Sequence, residues 1–431
     1  MNAQPSLPPY LNPPDAVRAR AIIMSDDAGE VQVIALENRL VNLETLASIT
    51  ARELRPLPYD FGAPTAAIPG HYDLPVIVDN LVTCAGELAL ATTEPGGYVR
   101  GGAGQDIVGS SIESQVVDFT DPVGIEPTSP STAQDQALIH TAISEFTSLR
   151  IQERLDETLH IPPLPEVARR IIALHSDPNY DLKDLVAIVE TDPGIASRIM
   201  GWANSAFNHV DPPAKSIDDA AMRVLGLDTV MSMALGMALG QTLNMPDDQV
   251  RGLPSYWLDA IFAATTTEAF ARRMPADRRP NTGLCYLVGL LASFGTLVLG
   301  HVFPPFYQKI CRMQEANRHL PHTQVDHHML KLPREVLASM LLELWDIPHE
   351  AVDAVRYQYV PDYRGANTTC VHLLQLARQA LSSQGLTDYP VPALQDKDLE
   401  GLGLSGDQLS RVIRDISESR EELEGFARAM G

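Results

Sequence analysis

The chain has 431 residues, enough for two or three domains that each bury a core. A formal net charge of −23 and a pI near 4.8 argue against a general binder of nucleic acid or anionic membrane, which needs Lys and Arg to displace counterions from phosphates. The four cysteines, Cys84, Cys285, Cys311 and Cys370, lie far apart without a C-x-x-C spacing, which excludes a disulfide framework or a cysteine zinc site and suits free thiols in a reducing compartment.

The first residues, with Pro5, Pro8, Pro9, Pro13 and Pro14, carry neither the basic nor the apolar segment of a secretory signal, so a cytoplasmic location is expected. From Ala16 to Val108 short apolar runs alternate with turn signals. The runs are Ala21-Ile22-Ile23-Met24, Val31-Gln32-Val33-Ile34-Ala35, Leu74-Pro75-Val76-Ile77-Val78 and Tyr98-Val99, and Asp26-Asp27-Ala28-Gly29 and Glu94-Pro95-Gly96-Gly97 mark turns. A helix fits Leu43 to Leu54. This predicts a small α+β domain over 16–108. Gly101 to Gln136, rich in Gly, Ser, Thr, Pro and Asp, reads as a tether, with the linker placed at 109–136.

Helical signals dominate the rest, giving an all-α bundle over 137–380 and a helical extension over 381–431. Asp181-Leu182-Lys183-Asp184 and Asp192-Pro193 each place an N-cap before an apolar helix, and Ser216-Ile217-Asp218-Asp219 reads as an acidic variant of the capping box. Met231, Met233 and Met237 recur with Val230 and Ala234 at helical spacing and read as core filling. Leu284 to Phe303 runs without a charge for nearly the length of a bilayer span, but Gly289, Ser293, Gly295, Thr296 and Gly300 interrupt it and favour a buried helix, with no membrane partner. In the tail, Leu399, Leu402, Leu404, Leu409, Val412, Ile413 and Ile416 fall at helical intervals and predict a face packed back on the bundle. The fold class is therefore multidomain α+β, a small α+β domain followed by an all-α helical bundle.

Several motifs invite chemistry. His319, His322, His327 and His328 crowd one segment, but their spacing matches no compact ligand set and Pro321 suggests a solvated loop. Asn204 and Ser205 are candidate binding residues, although capping a helix end is the commoner role of such a pair. There is no phosphate-binding Gly-Lys loop, nucleophile elbow or kinase signature.

Ile161-Pro162-Pro163-Leu164-Pro165-Glu166-Val167-Ala168, Asp192-Pro193-Gly194-Ile195-Ala196-Ser197-Arg198-Ile199, Ala203-Asn204-Ser205-Ala206-Phe207 and Arg223-Val224-Leu225-Gly226-Leu227 form an ordered set that closely resembles the HDOD domain. This family of HD-related output domains occurs in bacterial signalling proteins. The likeness runs from about Leu155 to Gln358 and implies a helical domain related to HD phosphohydrolases, usually without their catalytic metal residues. An HD enzyme converges several His and Asp side chains on one or two cations that generate a hydroxide nucleophile. Carried over position by position, Asp259 stands where a His is frequent, and Ala292 and Ser293 replace the adjacent His-Asp pair. Arg334 and Gln358, with Tyr359 beside it, occupy further frequent His positions. One surviving carboxylate cannot hold a catalytic divalent ion, so no metal, no cofactor and no catalytic residue are expected.

Ala21-Ile22-Ile23-Met24, Val31 to Ala35, Asn42-Leu43-Glu44-Thr45-Leu46, Ile68-Pro69-Gly70 and Leu74 to Asp79 look like the aminoacyl-tRNA deacylase family, which also supplies the editing domain of prolyl-tRNA synthetases. In that family an early-strand lysine and a Gly-Pro loop position the ester at the tRNA end. Here the first lysine is Lys183. Arg18 or Arg20 occupies the expected region, and an arginine does not reproduce compact ammonium geometry, while Gly62, Pro69 and Gly70 preserve part of the loop. Six arginines (Arg18, Arg20, Arg39, Arg52, Arg55 and Arg100) face about twelve acidic residues in this domain, a poor tRNA surface.

The expectation is a cytoplasmic bacterial regulatory protein that works without catalysis. Its partner would be a signalling protein, with a small-molecule ligand as a second class and nucleic acid disfavoured. The alternative is a deacylase with altered residues. The oligomeric state is left open.

Overall fold

Apolar side chains on both faces of Val17–Asp26 (β1) and Gly29–Leu36 (β2) make the antiparallel hairpin from which the first unit grows, paired from Ala19↔Leu36 to Asp26↔Gly29. The structure, a computed structural model, describes residues 16–57, 74–91, 98–109, 113–123, 163–175, 180–243, 248–250, 254–302, 304–386 and 396–430. The chain separates into two units, one holding the described residues through 123 with Val250 and 308–329, the other holding most of the remainder.

The hairpin turns at Gly29, whose φ of +120° suits glycine alone. Asp26 accepts the Ala28 amide there and pairs with Arg52 at 2.6 Å, which holds the Asp26 carboxyl down at about 2. Leu88–Ala91 (β6) runs parallel to β1, and Tyr98–Gly102 (β7) closes that side antiparallel to β6. On the other side Val76–Asp79 (β5) runs parallel to β2, and Ser114–Val117 (β8) parallel to β5. The order is β7-β6-β1-β2-β5-β8, with Arg55–Pro56 (β4) also on β1. Met24, Val31, Val33, Ala35 and Leu46 fill one face, and Ala19, Ile34, Val76, Val78 and Leu90 the other. Burial on both faces is why Val31 to Ala35 and Val76 to Val78 read as apolar runs with little alternation. The expected helix forms over Leu43–Thr50, with Asn42 accepting the Thr45 amide at 3.0 Å.

The proposed tether ending this domain needs correction. Residues 113–123 form β8 and Thr120–Pro122 (β9), which pairs with Arg39–Val41 (β3). Between them Phe119 is buried in the core and donates its amide to Asp79 Oδ2 at 3.2 Å. The polar composition misleads because β8 is an edge strand whose first three residues are exposed.

Residues 308–329 also belong to this unit, inside the stretch expected to be wholly part of the bundle. Asn317 Oδ1 accepts the Val41 amide at 2.7 Å, and its Nδ2 donates to the Val41 carbonyl at 2.9 Å and to Met313 O at 2.8 Å. Leu40, Met313, Leu320 and Val325 pack together beneath this contact. The histidine-rich segment is not a solvated loop: Pro321 immediately precedes a helix, His322–Leu330, and His322 and Asp326 are buried.

The second unit is helical. Asp181 caps Leu182–Val189 through a full capping box with Asp184, and Asp192 caps Pro193–Ala203 by accepting the Gly194 and Ile195 amides. Met231, Met233 and Met237 on Leu227–Gly240 are buried in its core. The uncharged stretch is two helices, Thr282–Leu290 and Phe294–Val302, and 83% of its most apolar window is buried inside the protein. In the tail, Gly406–Glu418 and Arg420–Met430 return to the bundle. Val412 and Ile416 are buried, Arg273 pairs with Asp415 at 2.7 Å, and Phe426 stacks on Trp202 at 4.6 Å between ring centroids.

Candidate functional site

The degenerate metal positions come together in the core of the helical unit. Asp259 lies in the first turn of Tyr256–Arg273, a helix started by Ser255, which accepts the Leu258 amide. Ala292 and Ser293 form the turn between Thr282–Leu290 and Phe294–Val302. Gln358 caps the C-terminus of His349–Tyr357. Into their midst Thr368–Ser383 sends Arg378, which is only 1% exposed.

The Arg378 guanidinium organises this cluster. Its Nη1 donates to Asp259 Oδ1 at 2.7 Å and Oδ2 at 2.6 Å, its Nη2 to Ser293 Oγ at 2.7 Å, and its Nε to Gln358 Oε1 at 3.4 Å. Ser293 Oγ also donates to Asp259 Oδ2. Gln358 Nε2 donates to the carbonyls of Ala292 at 2.8 Å and Val355 at 2.9 Å, which uses both of its protons. Burial and the nearby Asp259 charge raise the Tyr256 phenol above its ordinary range.

A divalent catalytic ion does not fit these residues. A cation that stays protonated at all accessible pH already neutralises Asp259, the single carboxylate of the cluster. The other donors are a serine hydroxyl and a carboxamide, poor substitutes for imidazole and carboxylate, and both are engaged in hydrogen bonds. Four of the five carried-over positions thus meet around Arg378. Arg334 takes another place: its Nη1 donates to Thr296 Oγ1 at 3.3 Å, and its backbone and stem lie where a Cβ on Gly295 would clash.

Asn204 serves the backbone, and Ser205 a neighbouring side chain. Asn204 Oδ1 accepts the Ala214 amide at 2.6 Å while its Nδ2 donates to the Ala214 carbonyl at 3.0 Å, pinning the following loop at both backbone polar atoms of one residue. Ser205 Oγ accepts from Asn208 Nδ2 at 3.2 Å. In the first unit Arg20 lies half-buried on β1, where its charge bears on His319. Gly62, Pro69 and Gly70 lie outside the described residues.

Sequence reasoning missed Arg378. The available signal was position: in an apolar helix it falls four residues after Leu374 and three before Leu381, both buried. A charge on a core-facing stripe needs a buried partner, and Asp259 on a neighbouring apolar helix supplies it.

The HDOD domain matches residues 161–361 of the chain. A crystal structure of a protein from Marinobacter aquaeolei VT8, provisionally assigned to signal transduction, is 33% identical and superimposes with a TM-score of 0.83, covering 96% of this chain and 94% of that one. An HDOD domain protein of unknown function from Geobacter sulfurreducens shares the fold at 18% identity and a TM-score of 0.53, covering 68% of this chain and 97% of its own. An uncharacterized protein of Treponema pallidum (strain Nichols) is 24% identical over 215 residues, 48% of this chain and 39% of its own length. These relatives give no support to the deacylase resemblance of residues 16–108.

Proposed function

The chain belongs to the family of HDOD-domain proteins, and from that premise we propose that it is a signal-transduction protein that acts by binding rather than by hydrolysis. The carrying observation is the Arg378–Asp259 pair, which puts a fixed internal cation among the positions an HD enzyme uses for metal. Electrostatically the guanidinium does what a cation would do for the fold, neutralising the one remaining carboxylate. It has no open coordination position and cannot generate hydroxide. The helical unit then serves as a surface for a signalling partner, and the acidity of the chain favours a partner with basic character.

The test is metal content and hydrolysis. Full-length protein from cells grown with added manganese and iron is expected to carry far less than one equivalent of metal, and to leave bis-p-nitrophenyl phosphate intact. Stoichiometric metal, with hydrolysis abolished by Asp259→Ala, would sink the proposal. Release of amino acid from charged tRNA, lost in Arg20→Ala, would move the deacylase alternative forward instead.

A further inference from the structure

The helical unit carries a second feature that shares no residue with the Arg378 cluster. It is a cavity of about 540 Å³ between Glu166–His175, Leu227–Gly240, the start of Thr282–Leu290 and the turn joining Arg334–Leu344 to His349–Tyr357. Ile171, Met231, Leu235, Leu287 and Ile347 make an apolar floor. Asp228, Glu343, Asp346 and Glu350 contribute carboxylates, and His175 and His349 the remaining titratable side chains. Among the described residues no Lys or Arg lines it.

Asp228 is the ordered member of this set. Asn281 Nδ2 donates to its Oδ2 at 2.7 Å, and Tyr180 Oη donates to its Oδ1 at 3.3 Å. Burial and the adjacent carboxylate raise the Tyr180 phenol above its usual range, so it remains a donor. Both donors are neutral, so Asp228 is oriented but its charge is not cancelled. Among the described residues none of the four carboxylates is ion-paired with Lys or Arg, whereas Asp259 elsewhere in the same unit is fully paired. Such a volume suits a small molecule, and a mainly apolar lining with a few placed polar groups is how such sites are built.

We propose that this cavity binds a small amphipathic organic cation, its apolar body on the Ile171–Met231–Leu235–Ile347 floor and its ammonium or guanidinium group on Asp228. The other three carboxylates reinforce the field at the mouth and draw cations toward it. Partial desolvation of the occupant strengthens the contact with Asp228 relative to the same pair in water.

The proposal stands apart from the hydrolysis question and is tested by calorimetric titration of the full-length protein with phenylbutylamine, using phenylbutanol as the uncharged isostere. The amine is expected to bind at least about tenfold more tightly than the alcohol, and to weaken as salt is raised. Asp228→Asn keeps the shape and should remove most of that preference, while leaving the alcohol unchanged. Because Asp228 also holds Asn281 and Tyr180, the exposed Asp346→Asn is a second variant, expected to weaken the amine by a smaller factor with an unaltered melting temperature. Equal binding of amine and alcohol, no binding of either, or an Asp228→Asn protein that melts normally and keeps full preference would each overturn the assignment.

Discussion

A single buried charge can be costly or neutral depending on what is left beside it, and Arg378 is such a residue. Arg378→Ala leaves Asp259 buried without its cation, and the expected loss is about 3–5 kcal/mol in a urea titration. Replacing both partners by apolar residues of similar size, Asp259→Leu with Arg378→Met, should recover most of that loss: Gln358 keeps its bonds to the Ala292 and Val355 carbonyls, and the Ser293 hydroxyl, which bonds to both members of the pair, is the one polar group deprived of them. A double variant as weak as the single one would show that the pair contributes more than charge compensation. His319 makes a pH prediction. Burial, then the charge of Arg20, lowers its pKa from 6.5 to about 3, partly opposed by its hydrogen bond to the Arg39 carbonyl at 3.3 Å. The unfolded chain therefore binds a proton that the folded one refuses. The resulting stability is fully present above pH 6.5 and is lost as pH falls from there toward 3. His319→Gln should flatten that part of the stability–pH curve, and a curve unchanged in slope would contradict the assignment.

Between elements, close approach matters more than composition. A Cβ on Gly289 would lie 2.4 Å from the Ala263 carbonyl oxygen and 2.4 Å from Ala264 Cα, both backbone, so the helices Tyr256–Arg273 and Thr282–Leu290 meet where only glycine fits. Gly289→Ala is expected to cost about 1–3 kcal/mol despite alanine's better helix propensity. An unchanged or raised melting temperature would refute that contact. The same glycine in the sequence weakened the reading of a membrane span, and its physical role proves to be packing. Helix starts were the most legible elements, because Asp181, Asp192 and Ser216 each announce a local hydrogen bond that needs no tertiary context. The strand Leu88–Ala91 carries no alternation and was not read. Nor was β8, whose polarity belongs to an exposed edge. The site was half legible: the positions Asp259, Ala292, Ser293 and Gln358 could be found by resemblance. Their neutralisation by a residue 119 positions from Asp259 depended on a helix crossing that no local pattern records.

At the scale of the molecule, the border between units does not follow the order of the chain. Composition placed one domain after another, yet residues 308–329 complete the sheet unit by presenting Asn317 to both polar atoms of Val41. A fragment ending at residue 126 should consequently expose Leu40 and part of the surface around Val41. It is expected to be cut by dilute protease far faster than the same segment in the full chain. Equal resistance would mean that the insertion contributes little. The insertion also sets a timetable. A nascent chain leaves the ribosome from its N-terminus, and domains ordinarily close as soon as their last strand emerges. Here β1 to β9 emerge early but wait through some two hundred further residues, at roughly 5–20 residues per second, before Asn317 arrives to finish the Val41 edge. For the ten seconds or more that this rate implies, the newborn sheet has an open strand edge, which makes it a natural client for chaperones.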